Sequence, residues 1–316
     1  MLYRGLVLAI VTALLISCGQ SYEEQREQSR LEARRLAAED SAALKVAVLP
    51  TIDCLPMYVA QKYGLYELLG ADIRLKAFDA QMDIDTAITF RRVEIAVTDI
   101  VRAEMMEDSV DGRHRTDSSY VYLTATDAYW QLIANADAKV TRVRDIDDKM
   151  MAMTRHSATD LLSDAVVGST KVDPYKVFRI QINDLSIRLR MMMNDEIEMT
   201  WLPEPQATEA RNAGHKVLKD SRKMGINMGT IIMRGDLLTD TTRTRQREAF
   251  LKAYDMAVDS IEKYGIHHYK NIIRGYCRTL PNTPDSLTDI TFRHITPISE
   301  ADMKRAKAWV ETARER

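Results

Sequence analysis

The stretch from Leu44 to Gly70, LKVAVLPTIDCLPMYVAQKYGLYELLG, constrains this chain more than any other. Leu44, Val46, Val48 and Leu49 are aliphatic or β-branched and end at Pro50, which cannot continue a ladder, so they predict a short buried strand. Pro56 suits a first helical turn, and Met57, Tyr58, Ala60, Gln61 and Leu65 carry a helical period punctuated by Gly64 and Gly70. Strand, loop and helix in that order open an α/β unit. The loop at the carboxyl end of such a strand is where open parallel sheets bind ligands.

The alternation continues. Residues 72–78 (DIRLKAF) predict a second strand, 83–90 a helix with Ile84, Ala87 and Ile88 on one face, and 94–98 (EIAVT) a third strand ending at Asp99. That order is a doubly wound lobe. Residues 120–126 and 130–135 are strand-like runs on either side of a crossing. The pattern then restarts with a strand at 149–154, a helix at 158–167, a strand at 177–182, a helix at 185–193 capped by Asp184, and a strand at 197–201. EIAVT at 94–98 is answered by EIEMT at 196–200, which marks an internal repeat. Residues 230–233 predict a further strand. From Thr244 the chain reads as helical: Phe250, Leu251, Tyr254, Val258 and Ile261 share a face that stops at Gly265, a helix spans 267–277, and a last one starts at Ser299, whose spacing to Asp302 is a capping-box pattern.

A length of 316 residues with 46% hydrophobic and 28% charged content suits two packed lobes, and a net charge of −2 offers no basic face for nucleic acid. The amino terminus has its own character. Arg4, the apolar run 6–15 and Leu15-Ile16-Ser17-Cys18 resemble a bacterial lipoprotein signal with its lipobox, which implies a signal peptide over 1–18 and lipidation of Cys18. Residues 19–43 are rich in Glu, Arg, Gln and Ala and read as a charged, partly helical tether. Cys54 and Cys277 are expected to be buried free thiols, although an exported chain also permits a disulfide.

Leu55-Pro56-Met57-Tyr58-Val59-Ala60, Lys62-Tyr63-Gly64-Leu65-Tyr66, the run 93–99, the run 146–162 and Trp201-Leu202-Pro203-Glu204-Pro205 together resemble type II periplasmic substrate-binding proteins, within them the family serving importers of thiamine precursors, sulfonates and nitrate. The resemblance implies two doubly wound α/β lobes joined by a hinge with a helical carboxyl-terminal tail, the first lobe formed by 44–126 plus 236–316 and the second by 127–235. It implies a monomeric, lipid-anchored solute receptor on the periplasmic face of a bacterial membrane. Its partners would be a small-molecule ligand, an ABC permease and the permease's ATPase. No cofactor is implied. The cysteine-rich segment of the aminopyrimidine binders is absent, and Arg92, Val93 and Ala96 stand around Glu94-Ile95 where members usually carry a glycine and an aspartate.

No motif for ATP hydrolysis, for a serine nucleophile or for a zinc protease occurs, so no catalytic residue is assigned. His267 and His268 point about 100° apart around a helix and make a poor metal pair. The strand-end loops are more informative. In the first half they carry Asp53, Tyr58, Asp79, Asp99, Asp127 and Trp130; in the second, Thr154, Ser157, Thr159, Trp201 and Glu204. Buried carboxylates need donors or positive charge, so this set favours an amine or aminopyrimidine over a sulfonate, with aromatic rings available to stack on it. Helix amino termini near Pro56 and Ala158 leave an anion as the competing reading. An enzyme on the same fold and a ligand-free interaction protein also stay open. For the anchor, replacing Cys18 by Ser should move the protein from the membrane to the soluble fraction of lysed cells; unchanged membrane association would defeat the lipobox reading.

Overall fold

In the computed structural model residues 22–108, 120–288 and 290–315 are described, so the leader and Cys18 lie outside the described residues. Helix α1 (Tyr22–Ala42) is a unit by itself, a single helix of 21 residues in place of the partly helical tether expected there. Its Glu, Arg, Gln and Ala favour helix without offering a core-forming stripe.

The second unit starts at Leu44. Its first half runs β1 (Leu44–Val48), α2 (Leu55–Lys62), α3 (Leu65–Leu68), β2 (Ile73–Ala77), α4 (Gln81–Thr89), β3 (Ile95–Asp99), α5 (Ile100–Asp108) and β4 (Tyr120–Ala125). The chain then crosses to β5 (Trp130–Ala134), β6 (Lys149–Met153), α6 (Ala158–Gly168), β7 (Val177–Gln181), α7 (Leu185–Met193), β8 (Met199–Pro203), α8 (Gln206–Asn212) and β9 (Lys216–Asp220). Strand β10 (Gly229–Arg234) brings it back, followed by α9 (Thr244–Tyr264), α10 (Lys270–Cys277) and α11 (Glu300–Arg314).

Two five-stranded sheets result, ordered β2-β1-β3-β10-β4 and β7-β6-β8-β5-β9. In each, three consecutive parallel strands are joined by helical crossovers, and the fourth strand, β10 or β5, runs antiparallel. The antiparallel strand of each lobe is the one that arrives from the other lobe. Both sheets carry apolar clusters on two faces: Leu44, Val46 and Val48 with α2 and α9 on one side of the first, Ala47, Ile84 and Ala96 on the other. That is the two-sided burial a doubly wound sheet requires.

The repeat is physical, but its register differs from the letters. Glu94 accepts from Lys45 N at 2.7 Å, and the residue doing this in the second lobe is Glu198, which accepts from Met150 N at 3.0 Å. Likewise the Glu94 carbonyl accepts from Arg234 N and the Glu198 carbonyl from Asn135 N. Glu94 therefore corresponds to Glu198 rather than Glu196, which is why β8 begins at Met199 and not at Ile197. A glutamate just before the central strand ties down the neighbouring strand's backbone in both lobes.

The late helices divide. Phe250, Tyr254, Val258 and Ile261 of α9 bury into the first lobe's core with Ile272 and Ile273 of α10. Ala306 and Val310 of α11 pack instead with Ile100 and Val101, in a cluster that includes second-lobe residues, and Trp309 Nε1 donates to Asp164 Oδ2 at 2.7 Å. The capping at Ser299 forms, with its hydroxyl accepting from Asp302 N.

The two crossings touch at Gly229: its carbonyl accepts from Thr126 N at 2.9 Å, and a Cβ there would collide with the side chains of Ala128 and Thr126. Gly229→Ala should therefore cost on the order of 1–3 kcal/mol, read as a lower urea midpoint at unchanged slope.

Candidate functional site

The carboxyl ends of the parallel strands of both lobes converge on one cavity of about 590 Å³ including its open mouth. Leu49, Thr51 and Asp53 follow β1, Gln81 begins α4, and Val97, Thr98 and Asp99 end β3. Opposite them stand Thr154, Ser157 and Thr159 after β6, Asn183, Leu185 and Arg188 after β7, and Pro203 at the end of β8; Ala128 and Trp130 close the side at the crossing.

The lobes meet around this cavity. Ile52 N donates to Glu204 O and Gln206 Nε2 to Pro50 O, both at 2.8 Å, while Arg102 Nη1 reaches Arg155 O at 3.1 Å. Asp99 makes the most informative of these contacts. Its Oδ1 accepts from Arg102 N in its own lobe at 2.9 Å and from Ala158 N, the first residue of α6 in the other lobe, at 3.0 Å. Free N–H groups at a helix start attract anions, and here the protein's own carboxylate takes that place.

Each local structure follows from its sequence. Ser157 caps α6 by accepting from Thr159 N and donates to Thr154 O, and Thr159 Oγ1 accepts from Thr154 N, so the loop is a knot of hydroxyl bonds that leaves α6 starting at the cavity wall. Asp184 caps α7 through Ser186 N and Ile187 N. Arg188 lies one turn into that helix and is 1% exposed; Nε donates to Ile182 O at 3.0 Å, Nη1 to Trp201 O at 2.9 Å and Nη2 to Thr154 Oγ1 at 2.7 Å.

Burial dominates the electrostatics. Desolvation raises Asp99 from the ordinary 3.8 to about 7 against the lowering effect of its backbone donors, and it raises Asp53 despite hydrogen bonds from Thr51 and Thr126. The same effect lowers Arg188 to about 10. All three charged groups are thus expensive to ionise where they stand.

Of the residues singled out from sequence, Asp53, Asp99, Trp130, Thr154, Ser157 and Thr159 line the cavity. The others are engaged elsewhere. Tyr58 is buried, donates to Leu49 O and stacks on Tyr276 with centroids 4.4 Å apart. Trp201 is fully buried and donates to Ser163 Oγ at 3.0 Å. Asp79 pairs with Arg278 at 2.6 Å, and Asp127 is clasped by Arg293 through N, Nε and Nη2. Glu204 pairs with Arg211 at 2.8 Å and caps α8 through Thr208 N. His267 contacts Pro284 O and His268 stacks on Tyr264. Cys54 and Cys277 are free and buried, and burial pushes both thiols up. Arg188 escaped the sequence reading. It shares the α7 face with Leu185, Leu189 and Met192, and a cation at such spacing on a buried face was the signal.

Comparison with solved structures gives the fold. The zinc-bound ligand-binding component of an ABC-type import system from Staphylococcus aureus superposes with a TM-score of 0.71 at 15% identity, over 87% of this chain and 92% of that one. The alkanesulfonate-binding protein SsuA from Xanthomonas axonopodis pv. citri, bound to MOPS, gives 0.69 at 11% identity over 86% and 93%. The periplasmic nitrate-binding protein NrtA from Synechocystis PCC 6803 gives 0.69 at 12% identity over 87% and 81%. No curated protein matches by sequence. The two mixed sheets, their repeated strand order and the cleft between them are those of the periplasmic-binding-protein fold, type II. The family described as NMT1/THI5 like matches residues 51–286, which covers the second lobe, the first apart from β1 and α11, and every residue lining the cavity except Leu49, and the chain belongs to that family.

Proposed function

We propose that this protein is the solute receptor of an ABC importer, anchored through a lipidated Cys18. The solute sits between the lobes, held by Asp53 and Asp99, with Trp130 as a stacking wall and Thr154, Ser157 and Thr159 as the hydroxyl rim. The receptor performs no chemistry on it; release goes to a membrane permease when the lobes open. Among the described residues no helix is long and apolar enough to cross a membrane.

The observation that carries this reading is the pair of buried, unpaired carboxylates at the strand ends. Asp53 and Asp99 are each 5% exposed, and neither forms an ion pair among the described residues. Buried carboxylates without an ionic partner favour a solute that donates hydrogen bonds or carries positive charge, such as an amine or an aminopyrimidine. An oxyanion at the α6 terminus would have to displace Asp99 or share N–H groups with it.

A thermal-shift screen over thiamine precursors, amines, amino acids, sulfonates and nitrate tests the reading. A true solute at about 100 times its dissociation constant adds roughly 2.7 kcal/mol, and the absence of any shift on protein freed of carried-over ligand would remove the receptor assignment.

The same carboxylates give a pH prediction. Asp99 binds a proton more tightly folded than unfolded, so its contribution to stability falls as pH rises from about 4 to about 7, and the cost is complete above that. Asp99→Asn keeps an acceptor for both N–H groups and removes the charge. The ligand-free variant should match the parent near pH 4 and exceed it at pH 8 by on the order of 1–4 kcal/mol, taking about 1.4 kcal/mol per pH unit. Its affinity for the solute should fall more than about tenfold, roughly 1.4 kcal/mol. A stabilised variant that binds unchanged would show that Asp99 is not an anchor.

A further inference from the structure

Three cavity-lining residues carry charge, and they are divided between the walls: Asp53 and Asp99 on the first lobe, Arg188 on the second. All three are buried, and none forms an ion pair among the described residues. Arg188 is held by neutral acceptors only, the carbonyls of Ile182 and Trp201 and the Thr154 hydroxyl. A guanidinium has five N–H donors, and one on Nη1 is left over beyond the bond to Trp201 O. Thr154 Oγ1 accepts from Arg188 and so can turn its own hydrogen into the cavity. The first wall therefore offers negative acceptors and the second a positive donor set.

A simple amine would satisfy the carboxylates and leave Arg188 without an ion-pair partner, with only the more distant Asp184 at the start of α7 acting on its charge. A simple oxyanion would do the reverse, and the N–H of Ala158 at the start of α6 is already taken by Asp99. We infer that the solute is a zwitterion whose cationic end meets Asp53 and Asp99 and whose anionic end meets the free Nη1 hydrogen of Arg188 and the Thr154 hydroxyl. This rests on the receptor reading and narrows it. The cavity offers opposite charges on its two walls, which suits a solute that carries both.

The test uses ligand-observed NMR with the full folded chain and three probe pools: the protein amino acids with β-alanine and taurine; straight-chain alkylamines; and alkanesulfonates, alkanoates and nitrate. The zwitterion pool should bind. For its tightest member, the matched amine lacking the acid group and the matched acid lacking the amino group should each bind at least tenfold more weakly. Asp99→Asn should weaken the zwitterion and the amine but spare the acid, and Arg188→Lys, which loses the fork, should weaken the zwitterion and the acid but spare the amine. Thr154→Val provides the second-wall variant if Arg188→Lys does not fold, with a smaller loss of two- to tenfold. An amine or an acid that binds as tightly as its zwitterion, or variants that weaken both ends equally, overturns the inference while leaving a receptor. Binding by no pool overturns the inference, and the receptor reading is then decided by the wider thermal-shift screen.

Discussion

One carboxylate bridges the two lobes at the cavity. Asp99 ends the central strand of the first sheet and accepts from backbone N–H groups in both lobes. Because it comes from a strand end and its partner from a helix start, the contact holds the ligand-binding edges of two sheets face to face. Taking this carboxylate out of water is costly, and only directed donors offset the loss.

That arrangement depends on the chain's double crossing. Strand β5 enters the second sheet next to β8, and β10 re-enters the first next to β3, each antiparallel. Both crossings pass through residues that touch at Gly229. The equivalent roles of Glu94 and Glu198 show the same unit used twice. Yet the two copies differ where it matters: the first presents carboxylates to the cleft, the second hydroxyls and a guanidinium.

The alternation of strand and helix, the restart after residue 149 and the capping signals at Asp184 and Ser299 were legible because they depend on local periodicity and side-chain to backbone bonds. So was the cavity role of the loops after β1, β3 and β6, since strand-end loops of parallel sheets share one edge. The helix α5 was not legible: Ile100 follows Asp99 without a break, so strand and helix read as one run. Helix α8 and strand β9 are short and polar, and their faces are decided by neighbours.

What the sequence determined by itself, then, is the order of elements, the two-fold repeat and the polar character of the strand-end loops, because each is written within a few residues. Only the tertiary structure decided which of those polar groups face the cavity. Asp127 and Asp79 have arginine partners at 293 and 278, and pairings at such separation leave no local trace, whereas Glu204 meets Arg211 only because the chain turns into α8 between them. Arg188 shows the converse: on paper it is one basic residue in a helix, and its place at the cavity comes from packing that buries its face against the end of β8. Burial of a charge away from any ionic partner is a property of the assembled lobes rather than of a local run of residues.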